Sequence, residues 1–361
     1  MPGNECGRVR KPPDSRPPRA LSIGGGLFTN ELADKSDSFV RRCARRSSSH
    51  YTGPHAFAAS RIRLFHPIAV NIRAAMIRLR YSVRLAYEVI DPKVDFLLNI
   101  EAAKTSRQFV VDEKLVLPPS ARVDRFTDPV LCNRMLRMQL PKGEIAIQYE
   151  AIVDIEHRLD DSGRLSEVPV AELPFDVWPY LAPSRYCQSD RLMEFAMREF
   201  GAMPRGYARV YAIREWVRNH VRFLSRSTNE RTSAVDTVVE RTGVCRDFAH
   251  LMIAICRALS IPARMSSSLD YGADPGAGPP DFHAVVEVYL SHQWYLFDPS
   301  GVSIPTGLLR IGTGRDAADM PFAAIFGRVE SKAPLVSIEP MTDAAAGIEL
   351  PVFTTKAIST W

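Results

Sequence analysis

Cysteine is scarce in this chain, and the few present do not pair. Six are spread over 361 residues, at Cys6, Cys43, Cys132, Cys187, Cys245 and Cys256, and none belongs to a CxxC motif. That spacing argues against a disulfide framework and favours a reducing, cytoplasmic setting. Long apolar runs are missing as well. No stretch of about 18 apolar residues offers a membrane span, and the N-terminus lacks the continuous apolar segment of a secretory signal. No membrane partner is expected. Charge of one sign is also in short supply: 46 basic residues face 41 acidic ones, a net charge of +5. The first 60 residues hold ten basic and five acidic side chains and so carry that whole excess. The rest of the chain has no electrostatic reason to bind nucleic acid. Its glycine-rich stretch, Gly272 to Gly278, lacks the following Lys and Ser/Thr of a phosphate-binding loop.

What is present is the balance of a globular protein, 46% apolar and 24% charged, enough to bury a sizeable core. Residues 1–75 are different. They contain Lys11-Pro12-Pro13-Asp14-Ser15-Arg16-Pro17-Pro18, then Gly24-Gly25-Gly26 and Ser47-Ser48-Ser49. Such composition reads either as disorder or as an extension upstream of the true start, for which Met76 is the candidate. Beyond it the pattern sharpens. Ile77, Leu79, Tyr81, Val83, Leu85, Tyr87 and Val89 alternate with polar or small residues, the period of a half-buried strand. Strands are also expected over 107–117, 130–140 and 144–155, giving a β-sheet or sandwich domain over 76–165.

A proline-containing connector from Leu173 to Tyr186 leads to helical patterning. Helices are expected from Ser189 to about Phe200, from Tyr207 to His220, and from near Ser233 to Gly243, with Gly243 taking a positive φ to end the third. The next helix opens close to Cys245. Its apolar face is Phe248, Leu251, Met252, Ile255, Cys256 and Leu259, and Ser260-Ile261-Pro262 stops it.

A cysteine at a helix start sits where free backbone N–H groups and the helix dipole favour negative charge. Both effects raise the thiolate fraction, and the same N–H groups can hold the oxyanion formed on attack at a carbonyl. Downstream, Asp281-Phe282-His283 begins a strand, a turn falls at Ser291-His292-Gln293, and Trp294 to Phe297 forms the next strand, ending at Asp298-Pro299. An antiparallel hairpin brings His283 and Asp298 to one end. Asp298 can then orient the imidazole, and the imidazole can move a proton to and from the thiol. Cys256 lies on the apolar face and reads as packing. A zinc site from Cys245, His250, Cys256 and His283 lacks paired ligand spacing. Asp247 reads as a first-turn acid, His220 and His250 as structural histidines, Trp294 as a core aromatic near the site, and Arg315-Asp316 as a turn. Ser300 has no assigned role.

Three segments together carry a family resemblance: Gly243-Val244-Cys245-Arg246-Asp247-Phe248-Ala249, Phe282-His283-Ala284-Val285-Val286-Glu287-Val288-Tyr289, and Trp294-Tyr295-Leu296-Phe297-Asp298-Pro299. They resemble the transglutaminase-like superfamily of papain-like thiol enzymes, and the strand region is similar to the N-terminal β domain of its bacterial members. The resemblance implies an α+β protein: an N-terminal β-sheet or sandwich domain over 76–165, a papain-like catalytic core over 166–340, and a tail over 341–361. It implies Cys245 as nucleophile, His283 as base and Asp298 as orienter. It also implies a peptide or protein substrate offering an amide or a glutamine side chain. No cofactor and no metal are expected, since the sequence offers no acidic loop for the calcium that some animal transglutaminases use. The expected reaction is hydrolysis through a thioester. The alternatives are transfer of the acyl group to an amine, as in a transglutaminase, and a non-catalytic scaffold that keeps the fold.

Overall fold

The computed structural model describes residues 76–272 and 281–361. The expectations for residues 1–75 lie outside those residues, as does most of the glycine- and proline-rich loop before Asp281. The described chain opens in strands: β1 (Met76–Leu98), β2 (Gln108–Val116), β3 (Arg122–Thr127), β4 (Arg134–Glu156) and β5 (Arg158–Asp160). Next come α1 (Met193–Phe200), α2 (Tyr207–His220), β6 (Arg222–Phe223), α3 (Ala234–Glu240), β7 (Thr242–Gly243) and α4 (Cys245–Ala258). A run of four strands follows: β8 (Ala263–Asp270), β9 (Phe282–Leu290), β10 (Gln293–Phe297) and β11 (Leu308–Gly314). The last strands are β12 (Ala323–Phe326), β13 (Val329–Ser331), β14 (Leu335–Met341), β15 (Ile348–Glu349) and β16 (Ala357–Ser359).

The alternation read from β1 holds: Ile77, Leu79, Tyr81, Val83, Leu85, Tyr87 and Val89 are buried, while Arg80, Arg84 and Glu88 are exposed. β1 pairs antiparallel with β4 along nearly its whole length, with an irregularity between Val89 and Lys93. The rings of Tyr87 and Phe96 lie 5.2 Å apart. A straight strand would separate those positions by about 30 Å. The ribbon is therefore folded over at this point, with Pro141 and Gly143 opposite the bend and Gly143 at φ +128°. Folding brings apolar side chains from both limbs into one core, among them Leu85, Phe96, Leu136 and Ile147. The strands expected at 130–140 and 144–155 are the two limbs of β4. β3, with five of its six residues exposed, lacks the alternation that reveals a strand.

The other edge of β1 is covered by β12, β13 and β14, antiparallel, and by β15, parallel. A division at residue 340 thus differs from the observed one, because residues 323–349 complete the N-terminal sheet. An early strand carries no local sign of which late strand will cover its edge. The expected tail is likewise built in. β16 pairs with β5, and the Trp361 ring lies over the buried guanidinium of Arg264, 4.2 Å away.

The second sheet runs β10-β9-β8-β11, with each neighbouring pair antiparallel. α4 packs against it, with side chains from α1, α2 and α3 in the same core. The apolar face expected on α4 is buried, but so are Ala249, Ile253 and Ala254 around the helix. Its charged residue Arg257 is matched by the carbonyls of Ala182, Ala263 and Arg315 and by the Ser184 hydroxyl. That set ties the connector, the sheet and the following turn to one helix. Across β8, β9 and β11, Glu287 is shared by the buried Arg264 and Arg310, and Trp294 covers Arg264 from 4.1 Å.

Because β1 depends on late strands, ending the chain at Phe322 should leave one edge of the long ribbon bare. The expected outcome is aggregation or loss of cooperative melting by circular dichroism. A truncated chain that melts cooperatively at the full-length temperature would contradict this architecture.

Candidate active site

Three elements converge on the site. α3 begins at Ser233, whose backbone N–H and hydroxyl both donate to Asp236, and ends at Arg241 with φ +56°. The left-handed residue is Arg241, not Gly243 as the sequence suggested. Gly243 serves a different need: a Cβ there would lie 2.8 Å from the Asp247 Cβ. That close approach lets the buried Asp247 carboxylate reach back to the Val244 N–H at 2.9 Å, while also accepting from the Thr228 hydroxyl at 2.8 Å. Asp247 thereby caps α4 as a first-turn acid and fixes the turn that presents Cys245. Cys245 is the first residue of α4 and is half-buried. The N–H groups of Cys245 and Arg246 belong to the first turn and have no intrahelical acceptor.

His283 comes from the start of β9, opposite Ser268 of β8. β10 follows through Ser291 and His292, at φ +45° and +61°, the signature of a type I′ turn. The last pair of this hairpin is Phe297 with Val286, so Asp298 emerges beside the His283 end as the sequence implied. His283 Nε2 lies 3.2 Å from Asp298 Oδ1. The approach is oblique, since Nε2 makes no aligned hydrogen bond, so the contact acts chiefly as a short buried ion pair. Nε2 being turned to Asp298, Nδ1 is left for the thiol.

Asp298 is clamped from several sides. Oδ1 accepts from the Ser300 N–H at 3.0 Å and the Ser300 hydroxyl at 2.6 Å. Oδ2 accepts from the Ser303 N–H at 3.1 Å and the Ser303 hydroxyl at 2.6 Å. Its backbone carbonyl accepts from Arg214 Nε of α2 at 2.8 Å. Burial alone would push the Asp298 carboxyl up. The His283 charge, with the His283, Ser300 and Ser303 contacts, outweighs it and holds the group far below the usual carboxylate range. For His283, burial favours the neutral ring, but the Asp298 charge and the nearby Cys245 side chain prevail, so the ring binds its proton well above the ordinary histidine range.

The structure thus brings Cys245, His283 and Asp298 together. Cys256 and His250 stay in the core: the His250 ring stacks on Tyr186 at 4.9 Å, and Nε2 accepts from the Ala317 N–H at 3.2 Å. Burial drives the His250 pKa down to about 3. Arg315 and Asp316 lie in a turn, with Arg315 paired to Asp319 and Asp316 accepting from the Tyr186 N–H. Ser300 and Ser303 were not anticipated. For Ser300 the Asp-Pro-Ser order was a usable signal, because an Asp side chain readily caps the N–H two residues on. Ser303 carried none.

A helix-borne cysteine set against a strand-borne histidine, beside a strand-rich N-terminal region, defines a mixed α and β protein with a papain-like core. Residues 196–299 match the transglutaminase-like superfamily, and residues 77–176 match the bacterial transglutaminase N-terminal domain. A solved structure from Cytophaga hutchinsonii, described as a candidate cysteine protease, is 37% identical. The match covers 79% of this chain and 98% of that one, with a TM-score of 0.73. The chain belongs to the transglutaminase-like superfamily. The periplasmic domain of TgpA from Pseudomonas aeruginosa is 18% identical, with 64% of this chain and 91% of that one covered and a TM-score of 0.35. An uncharacterised protein of Mycobacterium leprae is 24% identical over 234 residues, 61% of this chain and 82% of its own length.

The raised His283 midpoint has a defined sign for stability. Its stabilising increment is fully present below the unfolded-state midpoint, about 6.5, and is lost as pH rises through the folded one. The Tm advantage of the wild type over His283→Gln should therefore shrink on going from about pH 6 to about pH 9.5. A widening gap in calorimetry would mean that the ring is buried neutral.

Proposed function

We propose that this protein is a thiol-dependent amide or peptide hydrolase, with Cys245 as nucleophile, His283 as acid and base, and Asp298 as the group that orients the ring. The observation that carries this reading is the half-buried thiol at the start of α4 beside an imidazole whose far nitrogen faces a clamped, permanently ionised carboxylate. The attacking species is a thiolate, and the ring beside Cys245 is held protonated by everything around it except its burial.

The thiolate sulfur attacks the amide carbon, forming a C–S bond and moving an electron pair onto oxygen. That oxyanion is within the reach expected of the free Cys245 and Arg246 N–H groups. Collapse breaks the C–N bond, and the His283 proton goes to the departing amine. Neutral His283 then takes a proton from water as the water oxygen attacks the thioester. The C–S bond breaks, a carboxylic acid leaves, and the thiolate–imidazolium pair is restored. An amine in place of water would give acyl transfer by the same steps. The match to a candidate cysteine protease supports hydrolysis as the first choice.

Cys245→Ala should fold with an unchanged circular dichroism spectrum and lose at least roughly a thousandfold in turnover. The assay is a glutamine-containing peptide, with and without a primary amine, read by mass spectrometry. Acid product alone supports hydrolysis. Amine incorporation in preference to acid would replace it with transfer. Turnover that survives Cys245→Ala would refute a thiol mechanism of either kind.

A further inference from the structure

Asp270, the last residue of β8, is a buried acid that the mechanism above does not use. It is 3% exposed. Its backbone is paired with Leu308 of β11, yet neither carboxyl oxygen has a hydrogen-bond partner among the described residues. Buried carboxylates are normally satisfied by hydrogen bonds, and leaving one bare disfavours its charged form. The contrast with Asp298 is direct, because there each oxygen accepts two hydrogen bonds from serine residues. Ser268 of β8 lies opposite His283 of β9, and Asp270, two residues further along β8, is on the same face of the sheet as that ring.

We propose that Asp270 is a positioning residue for His283, a second counter-charge that helps to keep the imidazole protonated before substrate is attacked. The proposal rests on the catalytic reading given above. The ring is approached from four elements: Asp298 from the loop after β10, Cys245 from α4, Asp281 from the residue before β9, and Asp270 from β8. Asp298 is ionised at every working pH. Asp281 is solvent-exposed and accepts a hydrogen bond from the Phe282 N–H. Asp270, lacking any such donor, is pushed up to about 7 by burial, against the His283 charge. The state of Asp270 therefore changes near neutrality. Above that point its charge is present in full, in the range where the ring would otherwise release its proton. This gives the imidazolium added support on the alkaline side and withdraws it on the acid side, where the ring needs none.

The test measures the ring itself. With Cys245→Ala as background, the ring C2–H of His283 is followed by NMR against pH. Adding Asp270→Asn should lower the His283 midpoint by roughly one unit, the size expected for losing an opposite charge nearby. An unchanged midpoint overturns the proposal. The reciprocal measurement covers the case in which Asp270→Asn does not fold. In the otherwise native protein, His283→Gln should raise the Asp270 carboxyl midpoint, followed by carbon NMR. A midpoint that stays put overturns the proposal equally. In the intact enzyme the alkaline limb of kcat should move to lower pH in Asp270→Asn, while KM stays close to wild type. Because the titrations are made without the nucleophile or without turnover, they separate the two ideas. Coupling found without Cys245-dependent turnover removes only the catalytic reading. Turnover without coupling removes only the role given to Asp270.

Discussion

The contact between the His283 imidazole and the Asp298 carboxylate is the constraint around which this site is organised. An ion pair out of water is costly unless its remaining lone pairs are matched. Here they are: Ser300 and Ser303 occupy both oxygens, and Arg214 holds the same residue by its carbonyl. The carboxylate is thus a fixed charge attached to α2 as well as to its own loop. The ring takes its orientation from that charge, and the thiol at the start of α4 meets a base whose position is already decided. Preorganisation of this kind spares the site any rearrangement at the moment of bond formation.

The same principle distinguishes the other buried charges. Glu287 lies between Arg264 and Arg310 and joins three strands, with aromatic rings of Trp294 and Trp361 covering the guanidiniums. Asp247 is held by Val244 and Thr228 and sets the start of α4. Each of these is charge fixed by neighbours and used to hold backbone. Asp270 stands apart because no donor among the described residues holds it, so its protonation follows its surroundings.

Much of this was legible in the residues. The alternation in β1 and the helical spacing in α4 report burial directly, and burial is what the structure shows. The three site residues stand at element boundaries, and those boundaries were marked by glycine, proline and turn-forming residues. What was hidden depended on distant partners. The edge of β1 is covered by β14, whose register pairs Tyr81 with Ile338, and nothing local specifies that match. Gly243 looked like a helix terminator, whereas its real requirement is room for the Asp247 side chain, a contact within the next turn. Ser303 is an ordinary loop serine until the loop folds back on Asp298.

The way β1 is enclosed also bears on how the molecule is made. β1 and β4 leave the ribosome ahead of α4, with β2 and β3 between them. The segments that cover the outer edge of β1 are synthesised well after both, beyond α4 and the second sheet. Pairing across so much intervening chain is slow, and until it happens a long apolar ribbon waits with unpaired backbone on one side. Nascent chains must therefore pass through a stage in which the thiol-bearing helix already exists while the first sheet remains open. The maturing polypeptide is most vulnerable to misassociation until the strands that cover β1 arrive.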